Sequence, residues 1–302
     1  MFDLSKKHWQ WFAMLALALV WGSSFILMKR GLVALSFTQV AGIRVFFGFI
    51  LLIPLIIRHF GKINRTNIKS IAIVGYAGIF FPAFLFALAQ THISSALSGM
   101  LNSAASLFAL IVGVIFYKSR PLTNQVLGVI VGFIGAVALI TGGDFGAIFG
   151  VNSYALFVLI ATIGYGINAN EVRFKLMNMN GIQVTSLSFL FIGPAAGIVL
   201  LFTDFTVAFQ SPYFLQSLAA VLVLSTFGSV LSLFVYNNLI RHTSALFATS
   251  VTYIIPFFAI LWGLFDGETV NAIQLGGIVV VLIGVYLVNL KGKQSKEILS
   301  DR

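Results

Sequence analysis

The chain of 302 residues is 59% hydrophobic and 9% charged, with a mean hydropathy of +1.03, where a soluble domain carries about 25% charged residues. This excludes a water-soluble enzyme, and the absence of cysteine excludes a disulfide framework, a zinc-thiolate site and thiol chemistry. The net charge of +10 reads as membrane orientation, not nucleic-acid affinity, because the basic residues gather at span ends on one side.

A bilayer crossing takes about 20 apolar residues. Apolar windows bounded by charged or turn residues therefore predict ten transmembrane helices, at 10–28, 38–57, 70–90, 95–116, 123–141, 150–170, 183–203, 214–236, 244–265 and 273–290. The expected fold class is an all-α integral membrane protein. The first window is too long for a signal-peptide core and is followed by others like it, so it is expected to stay in the mature protein. It carries Trp21 about midway, followed by Gly22, Ser23 and Ser24.

The second span holds Arg44, roughly 9 Å from its outer end at 1.5 Å per residue. A charge there costs at least a few kcal/mol unless satisfied. It either meets a substrate carboxylate, snorkels outward or binds helix-end carbonyls. Tyr76 lies in the third span. The fourth and ninth bring Asn102, Ser103 and Ser106, and Thr249, Thr252 and Tyr253, to mid-membrane, where polar groups need partners on other helices or in a water-filled cavity. In the sixth span Tyr165-Gly166 answers Trp21-Gly22, with Asn168 nearby. The two aromatics either wall a central cavity or pack between helices, and the glycines allow close approach or bending. Glu171, beside Asn170 at the cytoplasmic end, is either a proton carrier of an antiport cycle or a partner of Arg173 or Lys175. Tyr236-Asn237-Asn238 of the eighth span lines an inner vestibule or packs between helices. Pro256 removes a backbone bond from the ninth and joins Gly22 and Gly166 as a candidate gate or kink. His8, His59, His92 and His242 lie near span ends without metal-ligand spacing. No catalytic constellation, phosphate loop or nucleotide-binding domain is evident, so no metal, cofactor or direct ATP coupling is expected.

With the N-terminus inside, fifteen of the 18 Lys and Arg fall on the inner side: Lys6, Lys7, Arg58, Lys62, Arg65, Lys69, Lys118, Arg120, Arg173, Lys175, Arg241, Lys291, Lys293, Lys296 and Arg302. Lys29 and Arg30 lie outside, as do Asp144, Asp204, Asp266 and Glu268. This bias places both termini in the cytoplasm.

The chain also repeats itself. A shift of 144 residues sets Trp21-Gly22 on Tyr165-Gly166 and Gln39-Val40 on Gln183-Val184. A shift of 150 sets Gly78 on Gly228, Phe84 on Phe234, His92 on His242 and Phe108-Ala109 on Phe258-Ala259. At 148, Lys118 and Arg120 fall on Asp266 and Glu268. Five spans per unit force opposite orientations, and equivalent loops then carry opposite charge. The expectation is two inverted-topology five-helix repeats, 1–145 and 146–302, a recurrent plan of secondary transporters.

Trp21-Gly22-Ser23-Ser24-Phe25, Arg44, Ile255-Pro256-Phe257-Phe258 and Gly267-Glu268 resemble the EamA-type family of the drug/metabolite transporter superfamily, over nearly the whole chain. The first unit departs from the pattern: Ser106 stands where the repeat has Pro256, and Lys118-Ser119-Arg120 replaces Gly-Glu. The resemblance implies export of amino acids, metabolites or toxic compounds across the bacterial inner membrane.

The expected activity is thus a secondary transporter, not an enzyme. It would work as a monomer by alternating access around a cavity lined by Trp21, Ser24, Tyr76, Asn102, Tyr165, Asn168, Tyr236 and Tyr253. Its partners would be a small organic solute and the lipid bilayer, with no nucleic acid. The alternatives are a passive channel, which needs a continuous polar stripe through several spans, and a non-transporting membrane subunit or enzyme.

Overall fold

The computed structural model describes residues 3–93, 95–141, 153–265, 272–288 and 290. The regular structure among them is helical, without a strand. The 145/146 boundary, Asp144, Asp266, Gly267, Glu268 and the basic tail from Lys291 lie outside the described residues.

Helix α1 (Lys7–Gly31) buries Ala13, Met14, Leu17, Ala18, Phe25 and Met28 at three- and four-residue steps. Phe12, Leu15 and Leu19 stay exposed on the other side. The outward face is as apolar as the inward one, the pattern of a helix with lipid rather than water behind it. Helix α2 (Phe37–His59) opens with a capping box: Ser36 accepts from the Gln39 N–H, and Gln39 accepts from the Ser36 N–H. The same box recurs at Asn180 and Gln183, at the start of α8 (Gly181–Leu201). The paired Gln-Val of the sequence thus marks a helix start in each half.

Helix α3 (Ile68–Ala89) contains a π-helical turn at Tyr76–Phe80, and α10 (Phe214–His242) contains one at Leu224–Leu231. The fourth predicted span is two helices, α4 (Ser95–Asn102) and α5 (Ala104–Tyr117), broken at Ser103. The ninth is α11 (Ala245–Thr249) and α12 (Val251–Phe265), broken at Ser250. Completing the chain are α6 (Thr123–Thr141), α7 (Ala155–Lys175), the short α9 (Thr206–Gln210) and α13 (Ala272–Val288).

Among the described residues, six helices are long and apolar enough to cross a membrane by length and composition: α1, α2 with its short 3₁₀ extension, α3, α7, α8 and α10. Shorter apolar helices lie at Ala104–Tyr117, Thr123–Ala138, Ala245–Phe258 and Val279–Val288. Two helices run beyond their expected ends. Helix α7 begins at Ala155 and passes through Asn168, Asn170 and Glu171, all buried, to Lys175. Helix α10 continues past Tyr236 through Asn237 to His242. A hydropathy window stops at such residues, but the helices continue because protein groups receive them: Asn170 donates to the Ala109 and Gly166 carbonyls, each at 2.8 Å, and Asn237 to the Thr185 hydroxyl at 3.0 Å.

Helix packing is organised by glycine. Helices α2 and α8 interlock: a methyl on Gly48 would meet the Phe189 ring at 2.6 Å, one on Gly193 the Phe49 ring at 2.2 Å, and one on Gly197 the Phe46 ring at 2.9 Å. Helices α6 and α13 approach backbone to backbone, where Gly128, Gly135 and Gly284 each leave no room for a side chain. Around these two pairs, α1 packs chiefly on α12 and α10, and α7 chiefly on α5 and α3.

Candidate functional site

The helices line a partly open cavity. Helix α1 contributes Trp21, Ser24, Phe25 and Met28, and α2 contributes Arg44. From α3 come Gly78, Ile79, Ala83 and Phe86, with Asn102 and Ala105 from α4 and α5. Opposite them stand Tyr165 and Asn168 of α7, four residues of α10 (Gly228, Ser229, Leu233 and Tyr236), and Thr249, Thr252 and Ile255 of α11 and α12.

Of the twenty described lining residues, sixteen fall into eight pairs related by the two shifts. At 144, Trp21 pairs with Tyr165 and Ser24 with Asn168. At 150, Gly78 pairs with Gly228, Ile79 with Ser229, Ala83 with Leu233, Phe86 with Tyr236, Asn102 with Thr252 and Ala105 with Ile255. The contacts pair as well. Trp21 meets Tyr236 edge-on at 5.2 Å between ring centroids, and Tyr165 stacks on Phe86 at 5.9 Å. A methyl on Gly228 would strike the Ser24 hydroxyl at 2.7 Å, and one on Gly78 would strike the Asn168 amide nitrogen at 2.0 Å. Each π-turn thus presents its glycine to a polar side chain of the helix across from it.

The geometry follows from local chemistry. A π-turn disturbs the α-helical bond ladder and leaves carbonyls for other donors. The Trp21 indole N–H donates to the Gly228 carbonyl at 2.9 Å, and Ser232 donates to that of Phe227 at 2.6 Å. Ser24, Thr249 and Thr252 donate to carbonyls of their own helical turns. The side-chain oxygens of Asn102 and Asn168 are buried without a partner.

Arg44 is the single charged residue among the described lining residues. Its Nε donates to the Ser229 hydroxyl at 2.7 Å, and its carbonyl accepts from Ser225 at 2.6 Å. Neither outward snorkelling nor helix-end carbonyl binding describes it. The one ion pair among the described residues is Lys6 with Asp3 at the N-terminus, so Arg44 has no carboxylate counter-ion there.

Trp21, Ser24, Asn102, Tyr165, Asn168 and Tyr236 of the expected set meet at the cavity; Tyr76 and Tyr253 do not. Tyr76 turns its hydroxyl to the Phe191 carbonyl at 3.1 Å. Tyr253, fully buried, donates to the Val129 carbonyl at 2.9 Å, with its ring over Gly132. Glu171 also lies off the cavity lining. It accepts from the Tyr117 hydroxyl and does not pair with Arg173, which donates to the Ile240 and Arg241 carbonyls at 3.3 and 3.1 Å. Gly22 is buried in α1. Gly166 brings α7 against the Phe108 backbone, where a methyl would sit 2.8 Å from its carbonyl carbon. Pro256 lies inside α12, six residues after the break at Ser250. Among the lining residues not singled out in sequence, Phe86 carried a usable signal, as the repeat mate of Tyr236. No group of three or more metal-ligating side chains occurs among the described residues.

The family described as the EamA-like transporter family matches residues 8–141 and again 152–290. An inner membrane transporter of Escherichia coli strain K12, named YedA and described as uncharacterized, is 26% identical over 286 residues, covering 92% of this chain and 90% of its own. An uncharacterized transporter of Archaeoglobus fulgidus is 26% identical over 178 residues, 59% of this chain and 62% of that one. A solved crystal structure is similar with a TM-score of 0.72 over 94% of this chain and 97% of its own; at 13% identity it speaks to the fold alone.

Proposed function

The chain belongs to the EamA-like transporter family and is a multi-pass membrane transporter, and from that premise we propose that it is a secondary transporter exporting small organic solutes, amino acids or other metabolites, across the bacterial inner membrane. In this reading ten spans form two inverted five-helix units, 1–145 and 146–302, with both termini in the cytoplasm and one chain as the working unit. The solute sits against Trp21, Ser24, Asn102, Tyr165, Asn168 and Tyr236. The two halves rock about it to expose it to one side and then the other.

The carrying observation is the cavity lining, sixteen of whose twenty described residues pair across the internal repeat. The helix contacts support the same reading, since α1 on α12 and α10 corresponds to α7 on α5 and α3. A cavity between repeats, apolar and aromatic with a few polar groups, suits a small organic ligand. Tyr76 and Tyr253, whose hydroxyls are held by backbone carbonyls, fall to packing. Glu171, a buried carboxylate with a hydroxyl partner and no cation among the described residues, is the proposed proton carrier. Gly22, Gly166 and Pro256 are the proposed gating points.

The test is counterflow. Purified protein in vesicles preloaded with an amino-acid and metabolite pool is expected to accumulate labelled pool members, and the Trp21→Ala, Asn102→Ala and Tyr165→Ala variants to lose this while still folded. Linear, unsaturable flux without counter-transport would identify a channel instead. A Glu171→Gln variant that keeps counterflow but loses uptake driven by a pH gradient would assign coupling to that carboxylate; unchanged gradient-driven uptake would remove the role.

A further inference from the structure

We propose that Arg44 is an anion subsite and that the transported solute is an organic monocarboxylate with an apolar body, an inference that rests on the reading of the cavity as the transport site. Arg44 has five N–H donors, of which Nε alone is engaged, by Ser229. The other four, on the two terminal nitrogens, have no protein partner among the described residues. A guanidinium within the membrane is costly when unpaired, and its two parallel N–H groups match a carboxylate edge.

The charge of the ligand follows from the rest of the lining. Arg44 is one of the four lining residues without a lining partner across the repeat; its mate is Ser188, which is buried and donates to the Ile71 carbonyl at 3.2 Å. The described lining therefore holds one positive charge and no carboxylate. A monoanion neutralises it. A phosphate dianion would leave a net negative charge in an apolar chamber, and an ammonium head finds no acid to meet. Phe25, Phe86, Met28 and Leu233 supply the surface for an apolar body.

The test measures protection of the purified full-length protein against thermal unfolding. The ligands are 3-phenylpropionate and hexanoate, each beside its primary amide and the amine of matching body. The carboxylates are expected to protect at concentrations about tenfold or more below the amides and amines. Arg44→Gln is expected to abolish this preference and Arg44→Lys to reduce it. If Arg44→Gln does not fold, the ordering of ligands on the unsubstituted protein decides alone. Equal protection by the three head groups, preference for the amine, or no protection by either carboxylate overturns the proposal. Counterflow separates it from the transporter reading. Flux confined to uncharged or cationic solutes removes the carboxylate subsite and leaves the transporter; carboxylate protection without flux of any pool member does the reverse.

Discussion

Lys118 is the one non-glycine residue with positive φ (52°) among the described residues. It sits where α5 ends and Ser119 donates back to the Gly113 carbonyl at 2.9 Å. A side chain in the left-handed region costs about 1 kcal/mol that glycine avoids. Lys118→Gly is expected to raise the unfolding temperature in detergent, and Lys118→Val to lower it. The glycines facing the cavity differ in tolerance. Alanine at Gly78 would lie 2.0 Å from the Asn168 amide and within 2.6 Å of its Cβ, whereas at Gly228 the first obstacle is the Ser24 hydroxyl, which can rotate away. Gly78→Ala should therefore cost more stability than Gly228→Ala, by about 1 kcal/mol or more, in paired thermal melts. At this scale the sequence carried depth but not azimuth. Trp21 and Tyr253 are both polar-tipped aromatics in apolar spans, yet one borders the cavity and the other faces Val129 on α6. That difference depends on which helix lies alongside, which no single span encodes.

Helix starts were more legible than helix breaks. Gln39 and Gln183 matched across the repeat because each closes a capping box, and each →Ala is expected to cost about 1 kcal/mol. The loss should be larger for Gln39, whose amide also donates to the Asp204 carbonyl at 2.8 Å. The Asp204 carboxylate accepts from the Thr206 hydroxyl at 2.6 Å and N–H at 2.8 Å; these bonds, the hydroxyl first, hold its pKa below 3.8. Its contribution is present above its unfolded pKa and lost as pH falls through the depressed value. The stability gap between the unsubstituted chain and Asp204→Asn should accordingly narrow as the pH is taken below 3.8, in melts across that range. The interruptions at Ser103 and Ser250 and the two π-turns left no mark in hydropathy, because a helix broken inside protein keeps its apolar composition while neighbouring groups receive its carbonyls. Gly193→Ala, driving a methyl into the Phe49 ring, is expected to loosen the α2–α8 pair by about 1–3 kcal/mol. Phe49→Ala in the same chain should return part of that loss.

At the scale of the whole molecule, Gly78, Gly228, Trp21 and Tyr165, matched in sequence by the two shifts, all lie at the cavity. Applying the same shift to Tyr236 would have added Phe86. What lay beyond the sequence was the set of contacts crossing the halves, such as Trp21 to the Gly228 carbonyl and Arg44 to Ser229, which exist only once the helices are assembled. The ring contacts are mirrored across the repeat but the hydrogen bond is not: the Trp21 indole N–H ties α1 to the Gly228 carbonyl of α10, while its mate Tyr165 stacks on Phe86 of α3. Removing the indole bond with Trp21→Phe and removing the stack with Tyr165→Ala are expected to shift access in opposite directions. The chain has no cysteine, so single cysteines at Ser24 and Asn168 can be tested with an impermeant maleimide without background. Labelling that moves the same way in both variants would contradict this.

Of the four tryptophans, at positions 9, 11, 21 and 262, Trp21 alone is among the cavity-lining residues. With its indole N–H fixed to a backbone carbonyl and a phenol against its edge, its ring is held in one setting, and its emission is expected to respond to what enters that chamber. The chain thus carries its own fluorescent reporter: with the other three changed to phenylalanine, filling or emptying the chamber should register as a spectral shift from one known ring, with no dye attached.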